Sequence, residues 1–246
     1  MICNNLVSQC KKYGWNKYFR LDNEIIILKV KYRKRGKMSL FLGKIHYWLY
    51  KKILWTERIE EDIIACAEKK GMPVDEWVTE NNGKYGVSMG KEPLETIIDT
   101  SNIHGWLQDR IESAELRQAA LVSAILKEDT GHEKELLELF KKQGESAAEE
   151  YPGKPETPEE LFNALNDYIL EGMPCDRVNE VISSDENEFV WRTTTCLHTP
   201  YWERVEGDIR YFYSLRREWV TAFVNKINNN FKYNTSSDGV HRIQKR

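Results

Sequence analysis

"RVNEVISSDENEFVWRTTTCL", residues 177–197, is the stretch that decides the fold class of this chain. Two runs rich in Val, Ile, Phe, Trp and Thr flank the turn-forming residues Ser-Ser-Asp-Glu-Asn, which is the pattern of a β-hairpin. The end of the chain, "NFKYNTSSDGVHRIQK" at 230–245, has the same pattern of strand, turn and strand. Upstream of residue 172, apolar residues recur at helical spacing instead. Helices followed by a strand-containing region predict an α+β fold.

The helical region contains clear start and stop signals. Lys69, Lys70, Gly71 and Pro73 predict the end of a helix that begins near Ser39. Thr157, Pro158 and Glu160 form a capping box that starts another helix. The remaining signals predict a short helix at 75–80 before a turn at Asn82-Gly83, a short helix after Pro93, and helices at about 102–127, 133–150, 158–171 and 199–227, the last broken near Gly207.

The sequence predicts three regions: a basic leader at 1–37, a helical block at 38–150, and a smaller α+β unit at 157–246 with a β-hairpin, helices and a terminal strand. The leader carries ten Lys or Arg residues and two acidic ones, whereas residues 38–246 carry 26 basic and 37 acidic residues. One interpretation is that Met38 is the start codon and 1–37 is upstream sequence. The alternative is that "NEIIILKVKYRKR" at 23–35 is a β segment docked on the body, and both stay open.

Composition excludes several classes of function. The body is acidic, which argues against binding to a nucleic-acid backbone, and no apolar run is long enough to cross a bilayer. The five cysteines form no C-x-x-C pair, which favours free thiols in a reducing, cytoplasmic environment of a bacterial-type protein. Motifs for nucleotides, zinc proteases, calcium and serine hydrolases are absent. We therefore expect neither nucleic acid nor membrane as a partner.

Two segments of the helical block are nearly alike: "KIHYWLYKKI" at 44–53 and "NIHGWLQDRI" at 102–111. Both contain Ile-His-x-Trp-Leu, and each histidine falls at the edge of an apolar stripe. The simplest interpretation is one packing solution used twice. The alternative is a shared metal site, since antiparallel packing of the two helices would bring His46 near Glu115 and His104 near Glu57.

In the metal interpretation His198 joins His46 and His104, and three imidazoles hold one divalent transition metal beside an open position. This arrangement resembles the DinB-like metal-binding helical bundles, in which three histidines meet in a cleft. The chain departs from those proteins because it has no H-x-x-x-H helix.

The segment "EFVWRTTTCLHTPYW" at 188–202 places a cysteine and a histidine two residues apart, before a predicted helix start. If the strand continues through them, Cys196 and His198 share one face. A helix N-terminus favours a thiolate, so Cys196 could act as nucleophile and His198 as its base. The alternative is a small cysteine packed in a half-buried strand.

Residues 188–243 resemble the L-2-amino-thiazoline-4-carboxylate hydrolase-like proteins. The resemblance lies in Val190, Arg192 and Cys196 on the strand, the later "N-x-N-F-x-Y", and Asp238-Gly239 in the final turn. His241 stands where those proteins carry a late cysteine. The resemblance implies hydrolytic opening of a small nitrogen-containing ring, or a divergent relative that only binds a small molecule.

We therefore expect a small-molecule pocket that uses Cys196 and His198, with His46, His104, Trp106 and Cys175 as further ligand contacts. Whether the protein is an enzyme stays open, and this interpretation needs no cofactor. Aromatic residues at helical spacing in 211–223 predict core packing, with an aromatic ligand pocket as the alternative. A third hypothesis is a non-catalytic interaction module with an exposed apolar patch on the Trp-rich helix 38–55. A homodimer is compatible with each of these hypotheses.

Overall fold

A computed structural model describes residues 42–246 of the chain, which form one compact unit. The predictions for the 1–37 leader, for a start at Met38 and for residues 39–41 of the first helix lie outside the described residues. The helices are α1 (Lys44–Glu68), α2 (Val74–Tyr85), α3 (Leu94–Ile97), α4 (Ile103–Glu128), α5 (Glu133–Glu150), α6 (Pro158–Asn166), α7 (Thr199–Arg204) and α8 (Ile209–Ile227). The strands are β1 (Asn179–Ser184), β2 (Glu188–Thr193), β3 (Phe231–Thr235) and β4 (Val240–Lys245).

The four strands form one antiparallel sheet in the order β1-β2-β4-β3, which confirms the α+β fold. The hairpin β1–β2 closes around Asp185, whose carboxylate accepts hydrogen bonds from the backbone N–H groups of Asn187 and Glu188. Phe189 and Trp191 of β2 are buried against Phe162 of α6, with ring centroids 4.4 and 4.8 Å from the Phe162 ring. One sheet face is therefore part of the core.

The helical block and the α+β unit are not separate bodies, because they share the larger of two apolar clusters among residues 42–246. This cluster joins the C-terminal halves of α1 and α4 to α5, α6, α8 and the sheet. The smaller cluster joins the N-terminal halves of α1 and α4 to α3 and Leu170.

The tightest helix contact is between α5 and α8. A Cβ atom added at Gly144 would lie 2.2 Å from the backbone oxygen of Trp219, so only glycine permits this approach. The side chain of Gln143, next to it, is also buried and donates to Asp62 of α1. These contacts bring α1, α5 and α8 together.

Helix α1 and helix α4 run parallel. His46 lies beside His104 near the two N-termini, with ring centroids 5.6 Å apart. About three turns further along, Arg117 of α4 donates to Glu57 and Glu60 of α1 over 2.8 and 2.9 Å. The antiparallel arrangement that the metal hypothesis required is therefore wrong.

Several helix ends were predicted correctly and two were not. The carboxamide oxygen of Asn102 accepts from Gly105 N, and the Thr157–Glu160 capping box is formed. No turn occurs at Asn82-Gly83: α2 continues to Tyr85 and ends at Gly86, whose φ of 87° needs a glycine. Helix α6 ends at Asn166 rather than 171.

Candidate ligand-binding site

A cavity of about 40 Å³ lies between α1, α4, α5, α8 and the segment 168–170 that follows α6. Its wall is mostly aromatic and aliphatic, with four polar side chains: Thr56, Glu115, Gln118 and Arg216. The aromatic members of the wall are Trp55, Phe140, Tyr168, Phe212 and Trp219. This volume has room for about three water molecules or a polar group of similar size.

Three residues of this wall carry buried hydrogen-bond donors that no described residue satisfies. They are Nε1 of Trp55, Nε2 of Gln118 and Nε1 of Trp219, and the Trp219 side chain is 3% exposed. A buried donor without an acceptor destabilises a fold by about 1–3 kcal/mol. Three such donors on residues of one cavity wall are therefore a cost to the fold that no described acceptor offsets.

An ionic cluster adjoins the cavity, with His198 and Glu115 buried and Glu171 and Arg216 partly buried. His198 stacks on Phe212, with ring centroids 4.1 Å apart, and its Nδ1 lies 3.1 Å from Glu115 Oε2. Its Nε2 lies 3.5 Å from Glu171 Oε2. Glu171 also accepts a hydrogen bond from Arg216, which in turn donates to the backbone oxygen of Leu170 over 3.2 Å. Two of the four charged groups, Glu115 and Arg216, line the cavity itself.

The charge states in this cluster follow from its geometry. Burial lowers the pKa of His198, but Glu115 and Glu171 outweigh burial and raise that pKa to about 9. Burial raises the pKa of Glu171, and Arg216 and His198 outweigh it, so that this pKa lies well below its usual value. His198 is therefore an imidazolium between two carboxylates at neutral pH.

A buried lysine of α1 interacts electrostatically with Glu171 and Asp167. Lys52 is 3% exposed, and its Nζ lies 4.0 Å from the centroid of the Trp48 ring. Trp48 Nε1 donates to Asp167 Oδ1 over 2.8 Å. Burial lowers the pKa of Lys52 to about 7, although Glu171 and Asp167 oppose the shift. Burial raises the pKa of Asp167.

The predicted Cys196–His198 pair is not formed as a nucleophile and base. Both residues lie in the segment between β2 and α7, not on a strand, and both ring nitrogens of His198 face carboxylates. The Cys196 thiol instead accepts from Thr199 Oγ1 over 3.2 Å. Burial raises the pKa of Cys196, while hydrogen bonds from Thr199 and Tyr213 outweigh burial and leave that pKa below its usual value. Neither Cys196 nor His198 lines the cavity, although His198 contacts two lining residues, Glu115 and Phe212.

The structure does not assemble the three-histidine site either. His46 and His104 are neighbours, but no group of three or more His, Cys, Asp or Glu side chains within residues 42–246 is arranged to hold a metal ion. Nδ1 of His46 accepts a hydrogen bond from Gly43 N over 2.9 Å, so this histidine caps the start of α1. The repeated Ile-His-x-Trp-Leu is thus a packing motif of two parallel helices.

The other predicted contacts lie away from the cavity. Trp106 packs against the smaller apolar cluster, and Cys175 is exposed in the segment before β1. The expected apolar patch is not present on the described part of helix 38–55, where Leu49, Tyr50 and Ile53 are buried. Phe212, Trp219 and Phe223 are buried in the larger cluster, which confirms their prediction as core, whereas Tyr213 is exposed. Phe212 and Trp219 also line the cavity.

Sequence reasoning did not single out Trp55, Gln118, Glu171 or Arg216. Trp55 falls within an apolar helical stripe and looks like core, and Gln118 falls in an alanine-rich helix where a polar residue looks exposed. The available signal was charge: Lys52 interrupts the apolar stripe of α1, and its burial could have been suspected.

None of the family models, curated proteins or solved structures compared with the chain matches it. Among residues 42–246, no helix combines the length and the apolar character that crossing a bilayer requires.

Proposed function

We propose that this protein binds a small molecule in the cavity between α1, α4 and α8. The observation that carries the proposal is the set of three buried donors, on Trp55, Gln118 and Trp219, that find no acceptor among the described residues while their side chains line one cavity. Ligand sites generally combine an apolar, aromatic wall with a few fixed polar groups. The wall of this cavity, mostly aromatic and aliphatic with a few polar side chains, fits that description.

The ionic cluster supports the proposal because it fixes the wall. His198 connects α4, through Glu115, to the segment after α6, through Glu171, and Arg216 connects that segment to α8. A buried pair that joins separate elements holds them in one geometry. Its charges are engaged with one another, so the cluster acts as a frame for the site.

Hydrolysis of a small cyclic C–N compound stays a prediction of the sequence resemblance. The base proposed for this reaction is not available, because both ring nitrogens of His198 face carboxylates. Binding is thus the function that the geometry supports best.

A cavity-filling variant tests the proposal. Leu215 lines the cavity and is 2% exposed, so Leu215→Phe places a larger side chain there. Leu139→Phe is the control for the same substitution outside the cavity, since Leu139 is partly buried against the larger cluster but does not line the cavity. Thermal unfolding of the full chain and both variants is measured with a set of small neutral, acidic and basic compounds.

The expected result is that some compounds raise the melting temperature of the wild type and of Leu139→Phe, but not of Leu215→Phe. A ligand at a hundred times its Kd stabilises the native state by about 2.7 kcal/mol, which is several degrees for a chain of this size. The proposal fails if no compound stabilises the wild type, or if the stabilisation survives in Leu215→Phe.

A further inference from the structure

We infer that the ligand of this cavity is a small, neutral molecule rich in hydrogen-bond acceptors, of the carboxamide class. This inference rests on the proposed function and adds the chemistry of the ligand. The unsatisfied polar atoms on the wall are all donors: two indole N–H groups and one amide NH₂. An indole nitrogen can only donate, so only an acceptor on the ligand can satisfy it.

The charges of the wall exclude an anion as the best occupant. Glu115 is a lining residue, so an anion would face a carboxylate, and the guanidinium of Arg216 is already paired with Glu171. An anion would then be transferred from water without a free cation to compensate it, which costs more than transferring a neutral acceptor. A cation would pair with Glu115 but would leave the three donors unsatisfied, so a neutral acceptor fits the wall better.

The size and shape of the cavity point to a planar polar group. A volume of about 40 Å³ accommodates a group of a few non-hydrogen atoms. Trp55 and Trp219 are flat side chains with one N–H donor each, and a carboxamide offers a flat group with two acceptor lone pairs on its oxygen. The N–H of the carboxamide has a potential acceptor in Glu115, whose Oε2 alone is engaged by His198.

Acetamide and acetate form a matched pair of probes, because they have nearly the same shape and differ in charge. Each is titrated into ¹⁵N-labelled full-length protein while the indole N–H resonances are followed. Trp55→Phe and Trp219→Phe assign the two resonances of the wall, and Trp77 of α2, outside the wall, is the internal control. A ligand of four non-hydrogen atoms binds weakly, so the titration extends into the millimolar range.

We expect acetamide to shift the Trp55 and Trp219 resonances saturably, without moving that of Trp77, and acetate to shift neither. Gln118→Leu removes one donor and should weaken acetamide binding by about tenfold. Gln108→Leu, on the same helix but outside the wall, should leave the binding unchanged.

The outcomes separate this inference from the proposed function. If acetate binds as well as acetamide or better, the neutral-ligand inference is overturned and the binding site stands. The same holds if only compounds without a carbonyl acceptor shift the two resonances. If no compound of the screening set shifts either indole resonance, the cavity holds water only, and both the inference and the proposed function are overturned.

Discussion

His46 and His104 lie with their ring centroids 5.6 Å apart, each in the first turn of its helix. Burial, and then the neighbouring His104, lower the pKa of His46. The helix N-termini act in the same direction, because their partial positive charge disfavours an imidazolium. His46 therefore resists protonation where it packs against His104.

This relationship predicts an acid-sensitive stability. A histidine whose pKa is lower in the folded than in the unfolded chain binds protons preferentially when unfolded, so the free energy of unfolding falls as pH drops below about 6.5. His46→Asn keeps an acceptor for Gly43 N and should reduce this fall. Denaturant unfolding between pH 7.5 and 5 measures it; a variant as acid-sensitive as the wild type would contradict the prediction.

His198 should produce the opposite dependence. Its pKa is raised to about 9, so its stabilising contribution is complete below about pH 6.5 and is lost as pH rises through 9. The loss is on the order of 3 kcal/mol. Glu115→Gln removes one carboxylate partner and should flatten the dependence between pH 6.5 and 9.5 while lowering stability at pH 7. An unchanged slope in this variant would show that Glu115 does not raise the pKa of His198.

Arg117 should be among the most sensitive positions of the described chain. It is 1% exposed and pairs with the buried carboxylates of Glu57 and Glu60. Arg117→Met leaves two buried charges unpaired and should cost about 3–5 kcal/mol of unfolding free energy at pH 7. Arg58→Met, which removes an exposed pair with Glu150, should cost less than about 1 kcal/mol.

The deficit of Arg117→Met should shrink at lower pH. Burial already raises the pKa of Glu57 and of Glu60, and loss of Arg117 raises both further. A carboxyl whose pKa is raised in the folded state lowers the free energy of unfolding as pH rises above about 4.5. Protonation of Glu57 and Glu60 near pH 5 therefore relieves part of the cost of the substitution. An equal deficit at pH 5 and pH 7 would argue that the carboxylates find another partner.

Two glycine substitutions should have opposite effects. Gly144→Ala places a Cβ against the backbone oxygen of Trp219 and should destabilise by about 1–3 kcal/mol, because α5 and α8 must separate. Gly83→Ala lies inside α2 with nothing within 4 Å of the added carbon, and should stabilise by about 0.5–1 kcal/mol. Chemical denaturation of both variants tests the pair; stabilisation by Gly144→Ala would mean that the two helices are not in close contact.

Local signals in the sequence predicted most of the fold. The capping box at Thr157, the cap at Asn102 and the hairpin around Asp185 depend on residues close in sequence, and all three are present. The turn expected at Asn82-Gly83 failed because a glycine with an ordinary helical φ can remain in a helix, whereas Gly86, at positive φ, ends it. Local patterns cannot distinguish these two roles.

The candidate site was harder to predict because its members come from distant segments. His198 was singled out, but its partners Glu115 and Glu171 are 83 and 27 residues away in sequence, and nothing local connects them. Trp55 and Trp219 have the spacing of ordinary core residues, and only the missing acceptor distinguishes them. The sequence favoured Cys196 as a nucleophile because it lies two residues before His198. Closeness in sequence does not determine where the imidazole points.

The parallel course of α1 and α4 has a consequence for the order of folding. Helix α1 has 25 residues and is about 37 Å long, so the chain must return over that distance through residues 69–102 before α4 can begin beside it. A simple antiparallel hairpin would close after a few residues, whereas here the contact of His46 with His104 closes a loop of 58 residues. Closing a long loop costs chain entropy before the stabilising contacts form, which slows folding. Refolding of this largely helical protein should therefore be slower than that of an up-and-down bundle of equal size.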